Sequence, residues 1–381
     1  MNKYKVIGLM SGTSLDGLDI AYCEFEKNDK WGCKIIKSET IKYNKDWKDR
    51  LSSAFTQSKK EIAKTDIEYG KFIGKQVNAF IEKYKLRADF ISSHGHTIFH
   101  QPEKKITLQI GSGKIISSVC KLPVVCDFRI GDVKLGGQGA PLVPMADKQL
   151  FSDYDFCLNL GGIANISFDN KKPERIAFDI CPVNIVLNGL AGKLGKEFDR
   201  AGKIASQGIL DERLLKRLNA LSFYKTIPPK SLGREWIEKE FSPILHRFDI
   251  SIQDKLRTVV EHVAIQIVSV INLFAGQAGS SLVRFAPSKR FARVSRSPSL
   301  LITGGGAYNN FLIERITFHA QCKIILPDDK TIQFKEAMAF AFLGVLKMRE
   351  EINILRSVTG AKKDTSGGKI YLPNQNEDSS S

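Results

Sequence analysis

The apolar and polar positions of this chain alternate like strands in three early runs, 4–9, 18–25 and 33–41, which reads as an antiparallel meander. The period then changes to that of a helix over 46–57 and again over 65–84. In the longer stretch Ile67, Phe72, Ile73, Val77, Phe80 and Ile81 fall on one face, and Thr65 with Glu68 reads as a capping box. Short strands follow at 90–93, 107–110 and 123–127, the first ending in His94-Gly95-His96-Thr97. A glycine-rich stretch, 130–144, reads as a long ordered loop. A second strand–turn–strand unit occupies 156–168, with a third strand over 175–178 that ends at Asp179. Helical periods cover 182–194, 209–221, 253–274, 309–317 and 335–348, and further strands are read at 299–303 and 323–326. Each half of the chain therefore opens on a strand hairpin with a small-residue turn, a duplication of pattern and not of letters.

The first turn is Gly12-Thr13-Ser14-Leu15-Asp16-Gly17, leading into Leu18 and Asp19. Glycines let a backbone take positive φ and let an anion approach, and successive N–H groups can form an anion nest. No Gly-Lys-Ser/Thr follows and the next element is a strand, so this is not a Walker loop. Taken alone, an ordinary glycine hairpin fits as well as a phosphate cradle. Two further glycine turns, Gly161-Gly162 and Gly304-Gly305-Gly306, also stand at strand ends. Three such turns across a duplicated α/β chain suggest a nucleotide held between two lobes. Phosphoryl transfer asks for positioned phosphates and a carboxylate to orient or deprotonate the attacking oxygen.

Composition narrows the setting. The chain has 381 residues, enough for two to three domains, and no run of 18 or more apolar residues, so no spanning helix is expected. Residues 1–5 lack the apolar core of a signal peptide. Seven scattered cysteines with no C-x-x-C pair fit reduced thiols in the cytoplasm. The net charge of +16 is spread along the chain and reads as a basic solvated surface more than a nucleic-acid face. The stretch 275–298 carries five basic residues and no acid, and 276–297 reads as a flexible basic insertion. The segment 374–381 reads as a disordered tail.

The residues Met10-Ser11-Gly12-Thr13-Ser14-Leu15-Asp16-Gly17-Leu18-Asp19 resemble the signature of the anhydro-N-acetylmuramic acid kinases, relatives of hexokinase, actin and the Hsp70 ATPase. Matching segments include Ser93-His94-Gly95-His96-Thr97, Asp127-Phe128-Arg129, Leu135-Gly136-Gly137-Gln138-Gly139-Ala140-Pro141 and Asn159-Leu160-Gly161-Gly162-Ile163-Ala164-Asn165. Others are Lys230-Ser231-Leu232-Gly233-Arg234-Glu235, Thr303-Gly304-Gly305-Gly306 and Ser357-Val358-Thr359-Gly360-Ala361. The resemblance implies an α/β, two-lobe actin-like ATPase (ribonuclease H-like) fold, with a duplicated mixed-sheet core and an interlobe cleft. Lobe I would comprise 1–130 and 350–373, and lobe II 131–349.

It also implies the reaction: ATP-dependent opening of 1,6-anhydro-N-acetylmuramic acid by water with phosphorylation of O6, in peptidoglycan recycling. ATP contacts would be Gly12, Thr13, Ser14, Leu15, Asp16, Gly17, Leu18, Asp19, Gly161, Gly162, Asn165, Gly304, Gly305 and Gly306. Asp179, opening Asp179-Ile180-Cys181-Pro182-Val183-Asn184, matches the family's catalytic base; its bland reading is a helix N-cap. His94, Thr97, Arg129 and Glu336 would contact the sugar, with Arg129 pairing a lactyl carboxylate. The bland readings are a surface salt bridge for Arg129 and a first-turn helix acid for Glu336. Mg²⁺ is expected with ATP, with no ligands assigned. His94 and His96 share a face of an ideal strand, but no third ligand completes a metal set. The chain departs from the family's Asp-Thr-Gly-Pro-x-Asn segment at Ile180 and Cys181, where Thr and Gly are usual, Cys181 and Val183 replace small residues, and His96, Ser112 and Cys126 depart as well. A kinase for a related sugar, or an inactive nucleotide-binding regulator, are the alternatives, and a homodimer is left open.

Overall fold

A computed structural model describes residues 2–12, 15–172, 174–275 and 297–373. Thr13, Ser14, nearly all of the expected insertion 276–297 and the expected tail 374–381 lie outside the described residues. The chain divides into two compact units, Met1–Leu150 with Phe334–Ser381, and Phe151–Gln333.

The first unit is built on a mixed sheet. Its strands are β1 (Lys3–Ser11), β2 (Gly17–Lys27), β3 (Trp31–Lys42), β4 (Phe90–Gln101), β5 (Ile106–Ile110), β6 (Val124–Cys126) and, from the C-terminal segment, β12 (Lys369–Tyr371). The order is β12-β6-β4-β1-β2-β3, with β5 paired to β4. The expected meander is present, β2 pairing antiparallel with both β1 and β3. β4 joins β1 in parallel, so β1 is covered on both edges.

Alternation along β1 sends its side chains to two different layers. Ile7 and Leu9 pack with Tyr69, Ile73, Val77 and Phe80 of the helix Lys59–Tyr84. That helix starts earlier than its periodicity suggests. Ser58 caps it with Glu61 in a capping box, and Thr65 is a buried interior residue. The stronger N-terminal signal lay in the polar turn before the periodic stretch.

The helix Asp329–Met348 enters the first unit at Phe334, where φ/ψ of −111° and 15° interrupt its helical geometry. Beyond that point Phe342 packs against Phe25 and Trp31, with ring centroids 5.5 and 5.2 Å apart. Ser92 of β4 donates to the Phe340 carbonyl at 2.5 Å. Residues 334–349 therefore fold with the first unit, not with the second as expected. Residues 131–150 do the same. Asp132 accepts from Thr359 Oγ1 and from the Gly139 N–H, both at 2.7 Å, and Lys335 pairs with Asp147 at 2.8 Å in a buried contact. The expected loop over 130–144 is partly helical, since the helix Phe128–Lys134 occupies its start.

The second unit repeats the plan. Its strands are β7 (Phe156–Leu160), β8 (Ile163–Asp169), β9 (Arg175–Pro182), β10 (Ser299–Thr303) and β11 (Lys323–Ile325), in the order β11-β10-β7-β8-β9. An antiparallel meander, β7-β8-β9, again opens the unit, and β10 again pairs in parallel with its first strand. The series β3-β2-β1-β4-β6 and β9-β8-β7-β10-β11 thus share order and sense, which is the duplication legible in the sequence. By length and composition alone the helix Ile252–Phe274 could cross a membrane, but most of it is buried inside the protein, so the expectation of no spanning helix is not overturned. Its apolar surface has another use: Leu256, Val259, Val260, Val263 and Ile267 lie in the core of this unit.

Candidate functional site

In the first unit the turn between β1 and β2 carries the expected phosphate loop. Among the described residues of that turn, Leu15 is left-handed, with φ 60°, and its N–H donates to the Gly12 carbonyl at 3.3 Å. Gly17 is needed for a different reason. A Cβ there would lie 2.5 Å from the Ile41 carbonyl oxygen of β3. Asp16 is exposed and Asp19 half-buried. Thr40 Oγ1 donates to Asp19 Oδ1 at 2.6 Å. Burial raises the Asp19 carboxyl above its usual range, the Thr40 hydrogen bond opposes this, and the charge of Asp16 adds to it.

β4 does not run as a regular strand through the two histidines. Its register against β1 shifts between Leu9 and Ser11, and Gly95 has φ 74°. The i, i+2 argument for a shared His94–His96 face therefore fails, and the two imidazoles have different partners. His96 Nδ1 lies 2.9 Å from Ser11 Oγ. His94 Nδ1 lies 2.9 Å from the Gly95 carbonyl, while its Nε2 accepts from Arg129 Nε at 3.1 Å and Nη2 at 2.8 Å. An acceptor at Nε2 and a donor at Nδ1 make His94 neutral. Burial and the Arg129 charge both push its pKa well below the usual value. Among the described residues no group of three His, Cys, Asp or Glu is placed to hold a metal ion.

Arg129 is not a surface salt bridge. Its Nη1 donates to the Gly139 carbonyl at 2.6 Å, and burial pushes its pKa down to about 10. Glu336 stands two residues beyond the break at Phe334, in the first turn of the helical stretch that follows it, where a first-turn acid is expected. Its side chain reaches solvent, yet the surrounding protein raises its carboxyl, opposed by Lys335 and Arg129 and reinforced by Asp19. Glu336 thus feels the charges of both Arg129 and Asp19, all three within the first unit. Thr97 lies on the same strand, its Oγ1 3.4 Å from Gln109 Nε2.

In the second unit Asp179 lies within β9, and Val183 holds the N-cap position of the helix Asn184–Gly192. The N-cap reading of Asp179 is therefore excluded. Its Oδ2 accepts the Leu232 N–H at 2.8 Å, and its own N–H donates to the Lys230 carbonyl at 3.2 Å. Oδ1 has no protein partner among the described residues. Burial raises the carboxyl above its usual range, and the Leu232 hydrogen bond opposes this. Strand register sets Asn159, Asn165 and Asp179 in one cross-strand row. Cys181 and Val183 are fully buried in the apolar core, so they fill that core under the motif.

The two glycine turns of this unit come together. Gly304 has φ 84°, and a Cβ there would lie 2.6 Å from Asn159 Oδ1 and 2.9 Å from the Leu160 oxygen. The carbonyls of Gly161 and Gly162 accept from Asn184 N–H at 3.3 Å and Val183 N–H at 2.8 Å, capping the helix that follows. Asn184 Nδ2 also donates to the Leu160 carbonyl at 3.2 Å. Asn159, Asn184 and the Leu232 N–H touch the expected site residues or their turns, and the residue-level reading did not single them out. Asn159 and Asn184 stand inside quoted motifs, whereas a backbone donor leaves no sequence signal.

The family model described as anhydro-N-acetylmuramic acid kinase matches residues 4–373. The chain belongs to the anhydro-N-acetylmuramic acid kinase family. Curated relatives of that name include one from Coxiella burnetii (strain Dugway 5J108-111), 34% identical over 97% of this chain and 98% of its own. Another from Francisella tularensis subsp. novicida is 34% identical over 97% and 99%, and one from Mannheimia succiniciproducens is 31% identical over 97% and 100%. A solved structure, the activator of 2-hydroxyisocaproyl-CoA dehydratase from Clostridium difficile with bound ADPNP, aligns with a TM-score of 0.44 at 13% identity, covering 91% of this chain and 96% of that one. Within the anhydro-N-acetylmuramic acid kinase family, the motifs carrying His94, Arg129, Asp179 and Gly304 fall inside the matched span.

Proposed function

We propose that this chain is an ATP-dependent kinase that opens 1,6-anhydro-N-acetylmuramic acid and phosphorylates it at O6, serving peptidoglycan recycling in the cytoplasm. The observation that carries the chemistry is the state of Asp179: one oxygen is fixed by Leu232, the other is free, and burial strengthens the carboxylate as a base. Asp179 takes a proton from water as the water oxygen bonds to the anomeric carbon. The C1–O6 bond breaks, O6 bonds to the γ-phosphorus, and ADP leaves. The product is N-acetylmuramic acid 6-phosphate.

The residues fit a nucleotide. Gly304 is held where a side chain would clash, leaving backbone open to close approach at the turn Gly304–Gly306. We assign that turn, with Gly161, Gly162 and Asn165, to ATP, along with the loop from Gly12 to Asp19. ATP supplies the phosphoryl group. Mg²⁺ is carried mostly by phosphates and water. Asp16 and Asp19 would offer it hard oxygen donors; burial raises Asp19, the Asp16 charge adds to that, and a cation held there would offset it. Arg129, fixed by His94 and Gly139, keeps N–H groups for the lactyl carboxylate, with His94, Thr97 and Glu336 beside it on the sugar. Free cysteines without disulfides among the described residues suit a reducing compartment.

The test is a coupled assay of ADP release with anhydro-N-acetylmuramic acid, followed by mass spectrometry of product formed in ¹⁸O-water. Sugar-dependent ADP release with label in the sugar is expected. Absence of sugar-dependent turnover, or full turnover by Asp179→Asn, overturns the reading.

A further inference from the structure

Asp179 is gripped from the edge of its sheet. β9 is the last strand of the second sheet. Against it the segment 226–233 gives the Lys230 carbonyl to the Asp179 N–H at 3.2 Å and the Leu232 N–H to Oδ2 at 2.8 Å. The grip coincides with an irregularity. β8 and β9 shift register between Ala164 and Asn165, which leaves Ile180 as an extra residue beside Asp179. Bulges of this kind re-aim a neighbouring side chain. The segment itself has little to hold it: Leu232 is buried, but Thr226, Ile227, Pro229, Ser231 and Gly233 are exposed.

Lys230 closes this segment into a loop. Its Nζ donates to the Phe223 carbonyl at 3.2 Å, and the same carbonyl accepts the Thr226 N–H at 3.1 Å. The ammonium lies 4.5 Å from the centroid of the Phe223 ring and 5.9 Å from that of Phe178, the residue before Asp179. Both ends of the segment rest on one buried imidazole. The Tyr224 hydroxyl lies 2.9 Å from His262 Nε2, and beyond Gly233 the Phe241 ring lies 5.6 Å from the His262 ring. His262 Nδ1 lies 2.6 Å from Asn219 Oδ1, an atom that can only accept, so Nδ1 carries the proton and Nε2 accepts from Tyr224. Burial pushes the His262 pKa down to about 3, so this anchor is neutral near pH 7. The titratable side chain that feels both Lys230 and Asp179 is Cys181, whose thiol burial keeps protonated. Burial lowers the Lys230 ammonium from its usual value, and Cys181 opposes this.

We propose that Lys230 is a positioning residue for Asp179: its ammonium, held by the Phe223 carbonyl and ring, latches the segment 226–233 so that the Leu232 N–H stays on Oδ2 and Oδ1 stays free. The catalytic consequence rests on the reading of Asp179 as the base, whereas the hold on the carboxylate is measurable without it. Lysine suits the task because one ammonium serves a carbonyl and a ring face together, which an uncharged side chain of similar length does not. The direction of the effect is fixed. The Leu232 N–H favours the ionised carboxylate, so loosening it raises the Asp179 carboxyl further above its usual range.

The experiment follows the Asp179 carboxyl directly, by ¹³C NMR of the full chain labelled at aspartate, with the signal assigned by its loss in Asp179→Asn. Profiles of kcat/KM against pH with anhydro-N-acetylmuramic acid and thermal melts accompany it. Lys230→Met should raise the carboxyl pKa and the acidic limb of the profile together, by up to about one pH unit, the scale of one hydrogen bond to a carboxylate. Its kcat should fall roughly tenfold, with KM for sugar and ATP near wild type. Lys230→Arg, which keeps the cation and its donors, should restore most of both. A carboxyl that does not move in Lys230→Met overturns the proposal even if Tm falls, as does Lys230→Arg behaving like Lys230→Met. A wild type without turnover, whose carboxyl still shifts in Lys230→Met and returns in Lys230→Arg, fails the reaction reading and leaves the latch standing. If Lys230→Met does not fold, Lys230→Gln, uncharged and one atom shorter, carries the same comparison.

Discussion

Leu232 donates its backbone N–H to Asp179 Oδ2 at 2.8 Å, and this one bond decides which carboxylate oxygen is left to do chemistry. The donor comes from a segment more than fifty residues away in sequence, so the orientation of Asp179 is set by the fold of the second unit and not by its own strand.

The first prediction concerns pH. A base works ionised, and burial raises the Asp179 carboxyl. The rate kcat/KM should therefore be flat near neutrality and fall about tenfold per pH unit below a pKa higher than the ordinary aspartate value of roughly 3.9. Asp179→Asn should cost about 10²–10⁴ in kcat with little change in Tm. A pH–rate profile and a thermal melt check both. An acidic limb at or below the ordinary aspartate value contradicts the assignment.

The second concerns Arg129. Two of its nitrogens donate to His94 Nε2 and a third to the Gly139 carbonyl. Lysine cannot reproduce that planar fork. Arg129→Lys should raise the sugar KM by roughly ten- to a hundredfold, the scale of a lost charged hydrogen bond, and leave the KM for ATP near wild type. Initial-rate kinetics with each substrate varied in turn measure the split. A change in ATP KM alone removes Arg129 from the sugar contacts.

Much of this was legible in the chain. The two hairpins with small-residue turns announce the duplicated sheets because local alternation encodes a strand and glycine encodes its turn. What local pattern does not encode is the partner. Residues 335–348 read as an apolar helix, but that they cover β1 and β4 depends on contacts across more than two hundred positions, such as Ser92 with the Phe340 carbonyl. The shared face of His94 and His96 failed because Gly95 inserts a kink that period-2 reasoning assumes away. On its own letters Asp179 read more readily as a cap than as a base, and only the family resemblance reversed that, because its partner, the Leu232 N–H, belongs to a backbone and has no letter.

A third prediction concerns stability. Burial alone would raise Glu261, but hydrogen bonds from Arg315, His319 and Arg257 outweigh it and hold its pKa at about 2. A depressed carboxylate pKa stabilises the fold above the unfolded value near 4.5, and this contribution is lost as pH falls towards 2. Up to roughly 3 kcal/mol is at stake, less where solvent screens the cluster. Glu261→Gln should lower Tm at pH 7 and flatten its acid dependence between those limits. Parallel acid-melting curves for variant and wild type would remove this role from the cluster.

The last prediction separates nucleotide from sugar. Gly304 sits at φ 84°, and an added Cβ would press on Asn159 Oδ1 at 2.6 Å and the Leu160 oxygen at 2.9 Å. With φ 84° and ψ 167° the backbone lies in a region essentially reserved for glycine, so the backbone term alone costs about 1–3 kcal/mol, and the clash must also push Asn159 or β7 aside. Gly305 is a matched control in the same turn, since its Cβ would meet only Asn184 Nδ2 at 3.7 Å and its φ is unexceptional. Gly304→Ala should lower Tm by several degrees and raise the KM for ATP at least tenfold, while binding of the sugar measured without nucleotide stays near wild type. Gly305→Ala should leave Tm almost unchanged, yet weaken ATP if its Cβ faces the phosphates or base. Equal weakening of sugar and nucleotide by Gly304→Ala, with no effect of Gly305→Ala on either, would mean that the turn supports the sheet and does not touch ATP.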